Sequence, residues 1–245
     1  QVLENVSLNY VTRVLDDLDA IDAHAWDSLL AQQDAPTPFM RHAYLSALHK
    51  SGSAVSKTGW TLKIISLWAS APEGETLQAA CPVYLKTHSR GEYVFDHAWA
   101  DAYERHGLAY YPKALVASPF TPVPGSRLLA RTAADRQALL LALHQWCEAE
   151  QLPSLHILFA SPADLQACEH MGMLQRSQVQ FHWHNQGWRD FDEFLSSLNQ
   201  EKRKKIRQER RKVQEAGITF RAVRGPEMSA EDWALLMRCY QQTYW

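Results

Sequence analysis

Eight basic residues fall between Lys202 and Lys212, and the stretch from Glu201 to Lys212 holds only two acidic ones, Glu201 and Glu209. That short segment carries a net charge of +6, so with a formal total of −2 the remaining residues sum to −8. Within it Arg203, Arg207, Arg210 and Arg211 recur at i, i+4, i+7 and i+8, which places them on one face of a helix. Phosphate is the natural guest of such a face, because each guanidinium is a planar fork that matches two phosphate oxygens. A charge run is ordinarily a solvated helix face, but here little acidic pairing relieves the repulsion between like charges.

A second group of chemically able residues lies in FDHAWADAYERHG, from Phe95 to Gly107. Asp96, His97, Asp101, Glu104 and His106 are crowded among aromatics, which raise a carboxyl pKa by desolvation. Asp101 is the first candidate for a proton-accepting base and Glu104 the second. His182 and His184 alternate along an apparent strand and so share a face, yet no carboxylate or thiolate stands nearby at ligand spacing, and no metal is expected. Trp183 and Trp188 read as packing residues.

The elements that must position these groups follow from periodicity. Leu8 to Val14 reads as a strand, and Ile21 to Leu30 and Phe39 to Leu48 carry helical spacing. Trp60 to Trp68 and Gln78 to Lys86 read as a hairpin with one irregular or edge member, weakened by Pro82, which has no ladder donor. Lys113 to Ala117 is a short strand that runs into a Pro-rich loop. Thr132 with Asp135 opens a helix, and Ser161 with Pro162 opens another that Gly172 closes. Between these helices Ser154 to Ala160 is almost wholly apolar, as a central strand buried on both faces should be. Gln175 to His184 alternates as a half-apolar strand. From Phe191 a helical stripe of Phe191, Leu195, Leu198, Ile206 and Val213 runs to Gly217, with Arg207 and Arg211 opposite it. A strand over Ile218 to Val223 and a helix capped by Ser229 and Asp232, carrying Trp233, Leu236, Tyr240 and Tyr244, come last.

The chain has 245 residues, 46% of them apolar, enough for a sizeable core. Its four cysteines, Cys81, Cys147, Cys168 and Cys239, form no CxxC pair, which implies a reducing compartment and no structural zinc. No apolar run approaches the ~20 residues of a membrane span. These features predict a cytoplasmic protein with no membrane insertion. The first residue is not Met, which suggests a trimmed start, and Trp245 falls inside a helical pattern.

Strand, two helices, two or three strands, helix, strand, helix, strand is the element order of the GNAT N-acyltransferase fold. In addition, YYPKALVASPFTPVPGSRLL (Tyr110 to Leu129), QFHWHNQGWRDFDEFL (Gln180 to Leu195) and KRKKIRQERRKVQEAGI (Lys202 to Ile218) resemble the FemAB-like N-acyltransferases, a peptidoglycan-biosynthesis-like family. The resemblance implies a mixed α/β, GNAT-like domain over residues 1–187 and the basic helix plus an incomplete second GNAT-like domain over 188–245, with an active cleft between the two. It implies acyl or aminoacyl transfer to an amine, with acyl-CoA or aminoacyl-tRNA as co-substrate and no tightly bound cofactor. By carry-over, Lys204, Arg207 and Arg211, with Arg203 beside them, are expected to meet the phosphates of a cell-wall precursor. GNAT proteins also set backbone amides against the donor pyrophosphate in the loop matching Pro119 to Arg127, so Gly125, Ser126 and Arg127 are candidates for a reduced form of that cradle. Three prolines make a stiff structural loop the equal alternative.

Two further classes of function compete with the transferase. One is a non-catalytic phosphate or nucleic-acid binder using the 202–212 helix, whose affinity would fall steeply with salt, although the acidic remainder argues against wide nucleic-acid tracking. The other is a partner-binding fragment that exposes the face meant for a missing second domain; separately, the strand over Ile218 to Val223 is expected either to lack a full sheet or to pair with another chain. A small-molecule or cell-wall precursor, tRNA and a homo-oligomer are the partners these readings admit.

Overall fold

A computed structural model describes residues 10–72 and 74–243. They form a mixed α/β protein with one sheet of six strands and eight α-helices, divided into two compact units, Gln1–Ser177 and Gln178–Trp245.

In the first unit β1 (Tyr10–Leu15), β2 (Trp60–Ala71), β3 (Gly74–Lys86) and β4 (Lys113–Val116) lie side by side and antiparallel. Leu8 and Asn9, the expected start of the first strand, lie outside the described residues. Helix α1 (Ala23–Ala31), capped by Asp22, and helix α2 (His42–Lys50) join β1 to β2. Helix α3 (His97–Arg105) joins β3 to β4. The two-residue β5 (Leu129–Ala130) pairs with β3, and α4 (Ala133–Ala149) then crosses over to β6 (Leu155–Ile157), which runs parallel to β4. Helix α5 (Pro162–His170) follows. Both α4 and α5 open with reciprocal capping boxes, Thr132 with Asp135 and Ser161 with Asp164, as the sequence predicts.

Successive strand residues point to opposite faces, so the sheet has a core on each side. Ile64, Tyr84 and Leu115 pack with Trp26, Leu29 and Leu45 of α1 and α2. Their neighbours Ile65, Val83 and Val116 pack with Leu139, Leu143 and Cys147 of α4. Each fully buried aliphatic side chain contributes roughly 1.5–3 kcal/mol.

Four expectations need correction. Pro82 sits in β3, an interior strand rather than an edge. It pairs with Ile64 on one side; on the other it falls where β3 passes from β5 (Ala80↔Leu129) to β4 (Tyr84↔Leu115), so no register there calls on its missing amide. The irregularity of the hairpin is instead a bulge at Leu67/Trp68. Second, Ser154 to Ala160 is not a central strand: β6 ends the strand order, is three residues long and only half-buried, and Phe159 turns away with φ +53°. The two-faced burial belongs to β3 and β4. Third, Gln175 to His184 and Ile218 to Val223 pair with no strand among the described residues, and Val179, Phe181 and Phe220 are exposed. Alternation makes a strand only where a neighbouring ladder takes up its amides and carbonyls.

The fourth concerns the helical stripe from Phe191, which is two helices of the second unit. They are α6 (Phe191–Ser196), capped by Asp190, and α7 (Gln200–Glu215), capped by Asn199. Asn199 accepts from the Lys202 amide at 2.9 Å, and this local bond restarts the helix. Helix α8 (Ala230–Gln242) has the expected Ser229–Asp232 box; Tyr244 lies outside the described residues. No helix among the described residues is long and apolar enough to cross a membrane.

Candidate functional site

The first unit buries an ionic cluster where β4 begins. The Lys113 ammonium donates to Glu92 at 2.8 Å, to Ser89 Oγ at 2.9 Å and to Asp96. Tyr110 donates to the same Asp96 oxygen at 2.8 Å, and Ser89 to it at 3.0 Å. Lys113, Glu92 and Asp96 are all buried, while the second carboxylate oxygens, Glu92 Oε1 and Asp96 Oδ1, have no hydrogen-bond partner among the described residues. The two acids respond in opposite directions. Burial pushes both carboxyls up; at Asp96 the bonds from Lys113, Ser89 and Tyr110 outweigh it and hold the carboxyl below its ordinary value, whereas at Glu92 burial prevails and the value rises.

Two further bases border this cluster. Burial, with Lys113 adding to it, lowers His156 to about 4; its Nε2 lies 2.9 Å from Ser154 Oγ. Burial lowers Lys86 to about 8, against the attraction of Glu92. Its ammonium donates to the Arg90 carbonyl at 3.2 Å and sits 3.4 Å over the Trp60 ring.

The cluster fixes α3, the helix that carries the two proposed bases. Asp101 and Glu104 are exposed on α3. The buried acids of this stretch are Asp96, one turn earlier, and Glu92. Sequence reading passed over Glu92, Lys86, Lys113 and His156. The aromatics that interleave these charges gave no reliable signal, since Tyr93, Phe95 and Trp99 are exposed while Tyr110 is buried.

The loop before β5 proves to be built on internal bonds. The amides of Gly125, Ser126 and Arg127 donate to Phe159 O at 3.0 Å, Ala35 O at 3.0 Å and Asp164 Oδ2 at 2.7 Å. The three donors that a reduced pyrophosphate cradle would need are therefore occupied. Arg127 itself is 1% exposed; its guanidinium donates to Leu158 O at 3.0 Å and Val123 O at 2.5 Å, and burial lowers it to about 10. Asp164 holds this end of the loop and also faces Arg136 Nε at 3.3 Å.

In the second unit the basic helix forms as expected, with a different division of its faces. Arg203 is half-buried on the same side as Ile206 and Val213, and Arg210 stacks over Phe191 at 4.2 Å. At about 100° per residue Arg203 and Arg210 lie beside the apolar stripe, whereas Arg207 and Arg211 are turned away from it and are exposed. Lys204, Arg207 and Arg211 are exposed; Arg207 lies 3.6 Å from Asp192 and Arg211 3.6 Å from Glu215. Such long, solvated pairs leave the guanidinium forks available. Trp183, Trp188 and Phe194 form an aromatic cluster with centroids 5.2–6.0 Å apart, and His182 and His184 stack at 6.2 Å. Among the described residues no three His, Cys, Asp or Glu side chains gather in a metal-holding group.

No curated protein and no solved structure matches the chain. A family model described as peptidoglycan biosynthesis/recognition matches residues 17–245, nearly the whole length, across both units. On that match the chain belongs to the FemAB-like family.

Proposed function

We propose that the chain is an N-acyltransferase that moves an acyl or aminoacyl group onto an amine of a cell-wall-related, phosphate-bearing acceptor. The observation that carries this reading is the family match over residues 17–245. The sheet supports it: an antiparallel β1-β2-β3-β4 order followed by a helical crossover to a parallel β6 agrees with a GNAT-like mixed sheet.

In such a transfer a neutral amine attacks the donor carbonyl carbon, an oxyanion develops, the amine proton passes to a base, and the thiolate of CoA or the ribose oxygen of tRNA departs. No electrons change hands and no covalent enzyme intermediate is required. Asp101 and Glu104 on α3 are the proposed bases, since an exposed carboxylate is open to an incoming amine. Lys113 and Asp96 position the helix that bears them. Arg207 and Arg211, with Lys204, are the proposed partners of the acceptor's phosphates.

The test is incubation of the protein with acyl-CoA or charged tRNA and a pool of amine acceptors, read by mass spectrometry. An acceptor whose mass rises by one acyl or aminoacyl group, dependent on protein and donor, supports the reading. Unmodified acceptors alongside salt-sensitive binding of RNA would replace it with a non-catalytic binder.

A further inference from the structure

We propose that Arg127 and Thr37 form a binding site for a monatomic anion such as chloride, where the 34–37 loop meets the 122–127 loop of the first unit. The inference concerns ion binding alone and does not depend on the transferase reading. Arg127 is 1% exposed, and two of its three guanidinium nitrogens are taken, Nε by Leu158 O and Nη2 by Val123 O. Its Nη1 is buried with no hydrogen-bond partner among the described residues, and so is Thr37 Oγ1. A buried donor left unpaired is costly, most of all on a charged group.

The two unpaired atoms share one place. Both residues stand around Gly125, where a Cβ would lie 2.5 Å from Thr37 Cγ2 and 3.4 Å from Arg127 Nη1. Glycine lets the two loops approach this closely, and the crowding admits only a small guest. Pro36, Pro38, Pro122 and Pro124 stiffen the loops on either side. Thr37 is also the N-cap residue of the 3₁₀ turn Pro38–Met40, where a threonine hydroxyl ordinarily accepts a backbone amide, yet it makes no capping bond. Its hydroxyl proton is therefore available to a guest.

Charge decides between an anion and a water. No carboxylate bonds the Arg127 guanidinium among the described residues. Asp164, the acid whose charge acts on it, is engaged by the Arg127 and Leu128 backbone amides at 2.7 and 3.4 Å and by Arg136 Nε at 3.3 Å. Two buried guanidiniums thus share one buried carboxylate. The carbonyl beside Gly125, Ala35 O, already accepts the Ser126 amide at 3.0 Å. With a guanidinium N–H and a hydroxyl able to donate, and positive charge in excess, a halide satisfies both donors and neutralises the buried cation, which a water does not.

Crystals soaked in sodium bromide, together with melting curves in chloride against gluconate at constant ionic strength, test the proposal. An anomalous bromide peak in contact with Arg127 Nη1 and Thr37 Oγ1 is expected. The melting temperature is expected to rise saturably with chloride, by roughly 3–6 °C at about ten times the Kd, and not with gluconate. Thr37→Val, which keeps the side chain's shape and deletes the hydroxyl, is expected to raise the chloride midpoint ~10-fold or more, whereas Thr37→Ser, which keeps the hydroxyl, stays within about 3-fold of wild type. Arg207→Ala with Arg211→Ala is expected to leave the midpoint unchanged. Water in place of bromide at the site, a bromide peak without chloride-dependent melting (an adventitious ion only), equal stabilisation by gluconate, or equal midpoints for wild type and Thr37→Val overturns the proposal.

Discussion

Asp96 stands at the N-cap position of α3, yet its carboxylate caps nothing there and pairs instead with Lys113 at the first residue of β4. Helix α3 is thereby tied to the sheet by a buried ion pair rather than by an apolar face; no residue of α3 is fully buried. The ammonium is shared with Glu92, so one lysine faces two buried acids.

Removing that lysine takes the paired cation from both buried acids and leaves Glu92 only the attraction of Lys86. Lys113→Met is expected to lower stability by about 3–5 kcal/mol, measured by urea denaturation at neutral pH. Glu92→Gln is expected to cost less than Asp96→Asn, because the fold favours the protonated form of Glu92 and the ionised form of Asp96. The reverse order would show that the two acids have exchanged roles.

His156 sets a pH dependence. Its value falls from the ordinary 6.5 to about 4 in the fold, so between these limits the unfolded chain binds the proton and the native chain does not. Stability is fully present above pH 6.5 and is lost as pH falls through 4, by roughly 3 kcal/mol in all. His156→Gln is expected to flatten this slope in denaturation curves across the interval. Below it Asp96 acts in the same sense, losing its ion pair as pH falls through its depressed value; Glu92, whose value is raised above the ordinary 4.5, takes up its proton above that pH, stabilises the fold as it does so and opposes the His156 slope.

On α7 the half-buried and the exposed arginines are expected to separate. Arg207→Ala and Arg211→Ala should change stability by less than about 1 kcal/mol, since their pairs with Asp192 and Glu215 are long and solvated. Each should weaken binding of a phosphate-bearing acceptor by roughly 1–3 kcal/mol, with only partial rescue by Lys, which keeps the charge and loses the fork. Arg203→Ala should show the opposite balance and lower the melting temperature. A uniform effect of all three substitutions would mean that only the local field matters.

Local signals in the sequence located most of the fold. The Thr132, Ser161 and Ser229 caps open helices where the side-chain pattern places them, because a capping box is complete within four residues. The β2–β3 hairpin and β4 were legible for a similar reason. What failed was pairing: alternation over Gln175 to His184 and Ile218 to Val223 specifies a strand only if a partner is present, and periodicity carries no information about the partner. The proposed site was half legible. The basic helix announces itself by charge density, but Lys113 looks like any strand-end lysine, and its acids lie 17 and 21 residues upstream, beyond any local pattern.

The central proposal is acyl transfer by this chain, with Asp101 or Glu104 proposed as the base and Arg207 and Arg211 proposed as partners of the acceptor's phosphates. Its most direct measurement is the steady-state rate of transfer, by mass spectrometry, for wild type, Asp101→Asn with Glu104→Gln, and Arg207→Ala with Arg211→Ala. The account predicts that the carboxylate variant loses ~10²–10⁴-fold in kcat with KM for the acceptor little changed, and that the arginine variant raises that KM with kcat nearly intact. Transfer at wild-type rate and KM by both variants, each folded as the wild type is, would contradict it.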